Sequence, residues 1–442
     1  MILEILESYQ QEVSSVESII QRYTSLIVNE DSNYKSIIHL SQNSILKAKE
    51  LDHYFKITRK LKGRLHGIPV VIKANIYTND DLPTSCGSVI LKDFYPNRNA
   101  KIVDWLIHEG AIIIGKSNMS EFSNYVSNSA PSGFSSLGGQ TKCIFGDNFS
   151  VGGSSSGSAV AVSASFCCLA IGTETDGSVV YPAAHNGAFA FKFKPQQVST
   201  DGVIGISSFF DSTGLMTNNL ADLKYIFSLF VNKPNTNFGI KKVFIQDKSF
   251  LILGSEISSR NLLLKINEFL VHEKIDSVSG EFIEDINPYF DMMDVICQTE
   301  FKKAITENTP FSEEEFILSC RKKLLNIHYQ DIHEIERSFS SNYQESGHYQ
   351  RAINTISELR VTKAEHLKND GIDLILSLTL GPDEIASTAN LAGLNHLVIP
   401  IHLNENLPIS LSIMATEEKA HLSFIFAKNF LDFIQRSFSY HI

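Results

Sequence analysis

The sequence lacks most of the features that would tie it to a membrane, a nucleic acid or a metal. Its longest stretch of small apolar residues, 159–172, is broken by serines and falls short of the ~20 residues a spanning helix needs. No cluster of Lys or Arg stands out, and 38 basic against 49 acidic residues give a formal charge of −11. The electrostatic footprint of a nucleic-acid binder is therefore missing. None of the six cysteines forms a CxxC pair, and Cys167 and Cys168 lie within an apolar run, which reads as buried free thiols. The fourteen histidines contain no HxH or HxxxH, so no metal is expected. There is no repeat, heptad array or disordered tail. The first residues, MILEILESYQQEV, carry acid early and lack the basic start of a secretory signal. These absences point to a cytoplasmic protein with no membrane and no nucleic-acid partner.

What is present is α/β texture. Residues 1–60 place Ile2, Ile5, Leu6, Val16, Ile19 and Ile20 at helical spacing, predicting two or three amphipathic helices. Gly67-Ile-Pro-Val-Val-Ile-Lys73 reads as a buried strand that delivers a lysine at its end. Ala111-Ile-Ile-Ile-Gly-Lys116 reads as another, after a helix near 100–109. Residues 127–158, rich in Ser, Gly and Asn, read as mostly loop. A small-residue helix follows at 159–166, then a strand at 168–172. Charged helical segments fill about 225–370, and strands return at 374–378 and 397–401. Continuous apolar strands alternating with helices predict a sheet covered on both faces.

Two segments carry the chemistry: Gly152-Gly-Ser154-Ser-Ser-Gly-Ser158 and Gly172-Thr-Glu-Thr-Asp-Gly-Ser178. Flexible linkers would not alternate with tightly apolar elements. Gly153-Ser-Ser-Ser-Gly157 matches GxSxG, but that elbow needs a strand directly before it, and Phe145-Gly-Asp-Asn-Phe-Ser is turn chemistry. A phosphate loop fails because no Gly-Lys-Ser/Thr follows the glycines.

These segments, with Gly67-Ile-Pro-Val-Val-Ile-Lys73, Gly115-Lys-Ser-Asn-Met-Ser-Glu121, Asp201-Gly-Val-Ile, Asp211-Ser-Thr-Gly, Asn390-Leu-Ala-Gly393 and Leu407-Pro-Ile, resemble the amidase signature enzymes in order and spacing. Glu174-Thr-Asp-Gly-Ser178 and Gly133-Phe-Ser-Ser-Leu-Gly-Gly-Gln-Thr-Lys142 look most like the peptide amidase branch. The resemblance implies the amidase signature fold, a single large α/β domain with a mixed central β-sheet under helices on both faces. It would comprise N-terminal helices (1–60), a catalytic core (61–222), a variable, mostly helical insertion (223–370) and a completion of the core (371–442). It also implies Ser178 as nucleophile, Lys73 as ultimate base and Ser154, in a cis peptide, as proton relay. Backbone N–H groups around Thr175, Asp176, Gly177 and Ser178 would form the oxyanion hole, supported by Ser155 and Gly153. Lys73 must then be desolvated to act as a neutral base, which its apolar strand suits. Asp176 is expected to shape the acyl pocket, and His66 and His185 to be structural. The implied substrate is a small or peptidic amide, hydrolysed by a monomer or homodimer without cofactor.

The sequence departs from the family pattern at Ala74, usually aspartate, and at Phe193, Lys194 and Gln196, usually proline, threonine and glycine. Leu215 stands for a proline and Val180 for an arginine. All leave Lys73, Ser154 and Ser178 in place. Two other functions share the resemblance: a glutamine-hydrolysing A subunit of a tRNA amidotransferase, and a catalytically silent binding protein of this fold.

Overall fold

A computed structural model describes residues 1–231, 239–250, 256–380, 384–401 and 409–439. The N-terminal part folds as α1 (Ile2–Gln10), α2 (Val16–Glu30), a short strand β1 (Ile37–Leu40) and α3 (Ser44–Thr58). A capping box between Ser15 and Ser18 starts α2. The core continues through β2 (Pro69–Lys73), α4 (Lys101–His108), β3 (Ile112–Ser117) and a small hairpin, β4 (Phe134–Ser135) with β5 (Gly139–Gln140). Then come α5 (Ser156–Ser163), β6 (Leu169–Glu174), α6 (Val180–Asn186), β7 (Phe189–Lys192), β8 (Ser212–Thr217) and α7 (Leu220–Phe230). The expected insertion holds β9 (Lys242–Ile245), α8 (Glu256–Glu273), β10 (Asp276–Ser279), α9 (Asn287–Asn308), α10 (Glu313–Lys323), α11 (His333–Ser340) and α12 (His348–Asn369). The chain closes with β11 (Leu374–Leu378), α13 (Glu384–Leu391), β12 (Asn395–Ile401), β13 (Ile409–Ala415) and α14 (Ala420–Ser439).

Among the described residues eleven strands make one mixed sheet in the order β1-β3-β2-β6-β8-β7-β12-β13-β11-β9-β10. Strand β2 runs parallel to both β3 and β6, and β8 runs antiparallel to β6 and β7. Every residue of β2, β3, β6 and β8 is buried, as strands covered on both faces must be. The region 223–370 is mostly helical, yet it also supplies β9 and β10, which extend one edge of the sheet. In α10, three glutamates open the helix and Arg321-Lys-Lys close it, complementing its dipole.

Helix α5 is built of small residues because of where it lies. A Cβ on Gly157 would meet Ser36 O at 2.3 Å and the backbone of Asn118 at 2.6 Å. Only glycine lets the helix approach β1 and the turn after β3 this closely.

Several departures from the family pattern have a visible place. Phe193 packs its ring against Phe191 and Phe230 at 5.2 and 5.1 Å. Lys194 pairs with Glu417 at 2.7 Å, and Gln196 keeps a left-handed backbone with φ 67°. Leu215 is buried in β8 between Ile171 and Phe191. All six cysteines are free and buried. No helix among the described residues is long and apolar enough to cross a membrane.

Candidate active site

Strand β2 ends on Lys73, whose side chain is fully buried. Its ammonium Nζ donates to Ser154 Oγ at 2.7 Å, to Thr173 Oγ1 at 2.9 Å and to Thr173 O at 3.1 Å. Burial pulls its pKa down from 10.5 to about 7, partly opposed by Asp211, Cys86 and Glu174. A second buried lysine, Lys116 on β3, is also lowered to about 7 by burial. Its ammonium instead donates to the carbonyl of Ile76 and to Thr84 Oγ1. The hydrogen-bond partner, and not the desolvation, separates the two.

Ser154 follows a cis peptide from Gly153 and its side chain is wholly buried. The next residue, Ser155, donates its N–H to Ser178 O at 3.0 Å. Its hydroxyl donates to Thr173 O at 3.1 Å and accepts from Thr173 N at 3.2 Å. The two serine-glycine segments are thus laced together at the C-terminal end of β6, and Lys73, Ser154 and the Ser178 backbone converge there. Gly177 takes φ +80°, turning the chain between Asp176 and Ser178 in a conformation that side chains rarely adopt.

The segment 174–178 is held by three sets of side-chain hydrogen bonds. Thr175 Oγ1 donates to Asp211 Oδ1 at 2.5 Å, and Asp211 Oδ2 accepts from Ile206 N at 2.9 Å. Burial raises the Asp211 carboxyl to about 7. Asp176 accepts from Ser387 Oγ at 2.8 and 2.9 Å. The residue is exposed to solvent. Desolvation raises its carboxyl to about 7, partly opposed by the hydrogen bond from Ser387. Glu174 Oε2 accepts from the N–H groups of Val179 and Val180 at 2.7 and 3.1 Å.

Sequence reasoning placed Thr173, Glu174, Asp211 and Asn390 in motifs without giving them a role, and missed Asn75 and Ser387 altogether. Asn75 Nδ2 donates to Thr173 Oγ1 at 3.1 Å; its place two residues beyond Lys73 was the signal for it. His66 is buried, with Nδ1 accepting from Lys62 N at 3.0 Å, and burial pulls its pKa to about 4. Leu407 and Pro408 of the last family motif lie outside the described residues. Among the described residues no group of three His, Cys, Asp or Glu is arranged to hold a metal ion.

The large mixed sheet under helices, with a buried lysine–serine contact at the end of β6, defines an α/β protein of the amidase fold. The amidase family profile matches residues 16–286, more than half of the chain, and the chain belongs to that family. It is similar to the native peptide amidase of Stenotrophomonas maltophilia, with a TM-score of 0.84 and 26% identity over 98% of this chain and 96% of that one. It is 26% identical to the A subunit of the glutamyl-tRNA(Gln) amidotransferase of Saccharolobus solfataricus, over 99% of this chain and 96% of that one. A probable amidase of Arabidopsis thaliana is 32% identical over 52% of this chain and 45% of its own length. Alignments with two fungal relatives cover 39% and 38% of theirs, so the chain spans less than half of those three curated proteins.

Proposed function

We propose that this protein hydrolyses the C–N bond of a small or peptidic carboxamide through Ser178, Ser154 and Lys73, by way of an acyl-enzyme. The observation that carries the reading is the Lys73–Ser154 contact of 2.7 Å in a fully buried setting. A neutral amine has two N–H groups and one lone pair. Thr173 O can only accept, and Thr173 Oγ1 already faces the Asn75 amide as an acceptor. Lys73 then spends both N–H groups on Thr173 and presents its lone pair to the Ser154 hydroxyl. Ser154 gives its proton to Lys73 and takes that of Ser178, whose Oγ attacks the amide carbon. The N–H groups around Thr175, Asp176, Gly177 and Ser178 receive the oxyanion; one such donor is worth about 2.7–4 kcal/mol of barrier. The proton returns along the same path to the leaving amine or ammonia. Water, deprotonated by the same route, then cleaves the Ser178 ester.

The peptidic substrate class is supported by the likeness to the Stenotrophomonas peptide amidase, which has also been solved with the competitive inhibitor chymostatin. A cytoplasmic monomer or homodimer without cofactor remains the expectation from sequence. The test is a fluorophosphonate probe together with ammonia release from C-terminally amidated peptides. Wild type is expected to be labelled and to release ammonia, and Ser178→Ala to do neither. Labelling that survives in Ser178→Ala would refute the nucleophile. The near full-length match to the A subunit of an amidotransferase favours one second reading, glutamine hydrolysis on behalf of a partner. Glutaminase activity that appears only with co-purifying partner proteins would select it.

A further inference from the structure

Glu174 is the last residue of β6, and its side chain is almost wholly buried. One oxygen of its carboxylate accepts from the two amides that follow Ser178, those of Val179 and Val180. Ser178 O is held separately by Ser155 N. The backbone of Ser178 is therefore fixed on both sides. The other carboxylate oxygen accepts from Asn390 Nδ2 at 3.0 Å, and Asn390 Oδ1 accepts from Lys192 Nζ at 2.7 Å. Lys192 ends β7 with no exposure. Burial lowers its pKa to about 8, against the pull of Glu174.

A carboxylate and an ammonium thus share one amide as their bridge inside the protein. A buried ionic pair of this kind is usually no more stable than an apolar pair of the same volume. What it supplies is direction, because every member has a fixed donor and a fixed acceptor. Helix α13 adds a second grip. Ser387, one turn before Asn390, donates to Asp176, so residues three apart on one helix face hold both acids of Glu174-Thr-Asp176. Arg360 of α12 donates to Asn390 O and Leu391 O at 3.1 and 3.3 Å, anchoring the end of α13.

We propose that Lys192, Asn390 and Glu174 form a buried positioning chain that sets where Ser178 stands relative to Ser154. This rests on Ser178 being the nucleophile. None of the three would touch substrate; they act through the backbone after Ser178. A misplacement near 1 Å at a reacting group can cost about 10²-fold in rate.

The test measures the fluorophosphonate labelling rate per folded molecule, with kcat and KM for an amidated dipeptide, in Glu174→Gln, Lys192→Met and the double variant. Each single variant is expected to label Ser178 at least tenfold more slowly, with kcat falling and KM unchanged. The double variant should be no slower than the slower single one, because both changes cut the same chain. Single variants that label at the wild-type rate overturn the proposal, as does a double variant whose loss is the product of the two. If Lys192→Met does not fold, the isosteric Glu174→Gln carries the test alone. A wild-type enzyme that is not labelled at Ser178 overturns the nucleophile as well, whereas variants labelled at the wild-type rate overturn this proposal alone.

Discussion

Lys73 and Thr173 meet twice, through the hydroxyl at 2.9 Å and the backbone carbonyl at 3.1 Å. This double contact aims the third direction of the amine at Ser154. The same residue of β6 also receives the Ser155 hydroxyl and the Asn75 amide, so Thr173 joins the strand that carries the base to the loop that carries the relay.

Activity should rise with pH through the titration of Lys73. Burial brings its pKa to about 7, and only the neutral amine accepts a proton from Ser154. Below that value the ammonium is charged and kcat/KM should fall about tenfold per pH unit. Lys73→Ala should lose about 10²–10⁴-fold in kcat, the usual worth of a positioned base. A pH–rate profile in which the ascending limb is absent, or a Lys73→Ala enzyme with wild-type kcat, contradicts the assignment.

The same burial makes Lys73 a cost to the fold, and the sign can be worked out. Its pKa is about 7 folded and about 10.4 unfolded. Between these values the unfolded chain binds more protons, so stability rises with pH. Well below pH 7 the folded protein carries the whole penalty of the buried charge, and above about pH 10.4 it carries none. Lys73→Met has no such group. Its stability relative to wild type should be most favourable near pH 7 and decline by about 2–3 kcal/mol towards pH 9.5. Urea midpoints of both proteins at the two pH values check this; a pH-independent difference rules it out.

How much of this was legible in the sequence depended on motifs and local chemistry. Lys73, Ser154 and Ser178 were singled out because the segments that carry them resemble the amidase signature motifs in order; the apolar run Ile68 to Ile72 and the glycines around the serines only fit that reading. Strands β8 and β13 were not readable. Ser212-Thr-Gly-Leu-Met-Thr217 and Ile409-Ser-Leu-Ser-Ile-Met-Ala415 look half polar, yet all of the first and nearly all of the second are buried. Ser212, Thr217 and Ser412 place their hydroxyls in hydrogen bonds inside the protein, Ser412 with His396 and Thr379. The supports of the site were hidden for a different reason. Asp211 lies 36 residues from Thr175, and Asn390 lies 216 from Glu174; no spacing rule spans such distances.

Gly157→Ala tests how tightly α5 is set. The new Cβ would stand 2.3 Å from Ser36 O and 2.6 Å from Asn118 N and O, all backbone atoms. No flexible side chain is available to yield, so the helix or the segments beside it must shift. Overpacking of this kind costs about 1–3 kcal/mol, read as a lower urea midpoint. Because Ser154 and Ser155 directly precede this helix, activity should fall along with stability. A variant with wild-type stability would mean that the helix sits further from Ser36 than described.

Asp176→Asn tests the charge on the loop before Ser178. Asparagine keeps a side-chain oxygen for the Ser387 hydroxyl, so the loop should hold its shape and thermal stability should hardly change. What disappears is a negative charge two residues from Ser178, on a residue open to solvent. Unit charges 4 Å apart in water attract by about 1 kcal/mol, and by about 4 kcal/mol in the lower dielectric near a protein surface. An amide carrying a cation close to the scissile carbonyl should therefore lose at least about fivefold of its kcat/KM advantage over a neutral isostere in Asp176→Asn. The two substrates measured on both enzymes, at a pH above 7 where the carboxylate is ionised, give the ratio directly. A ratio unchanged by the substitution would place Asp176 out of reach of the substrate and leave it only as an anchor for α13.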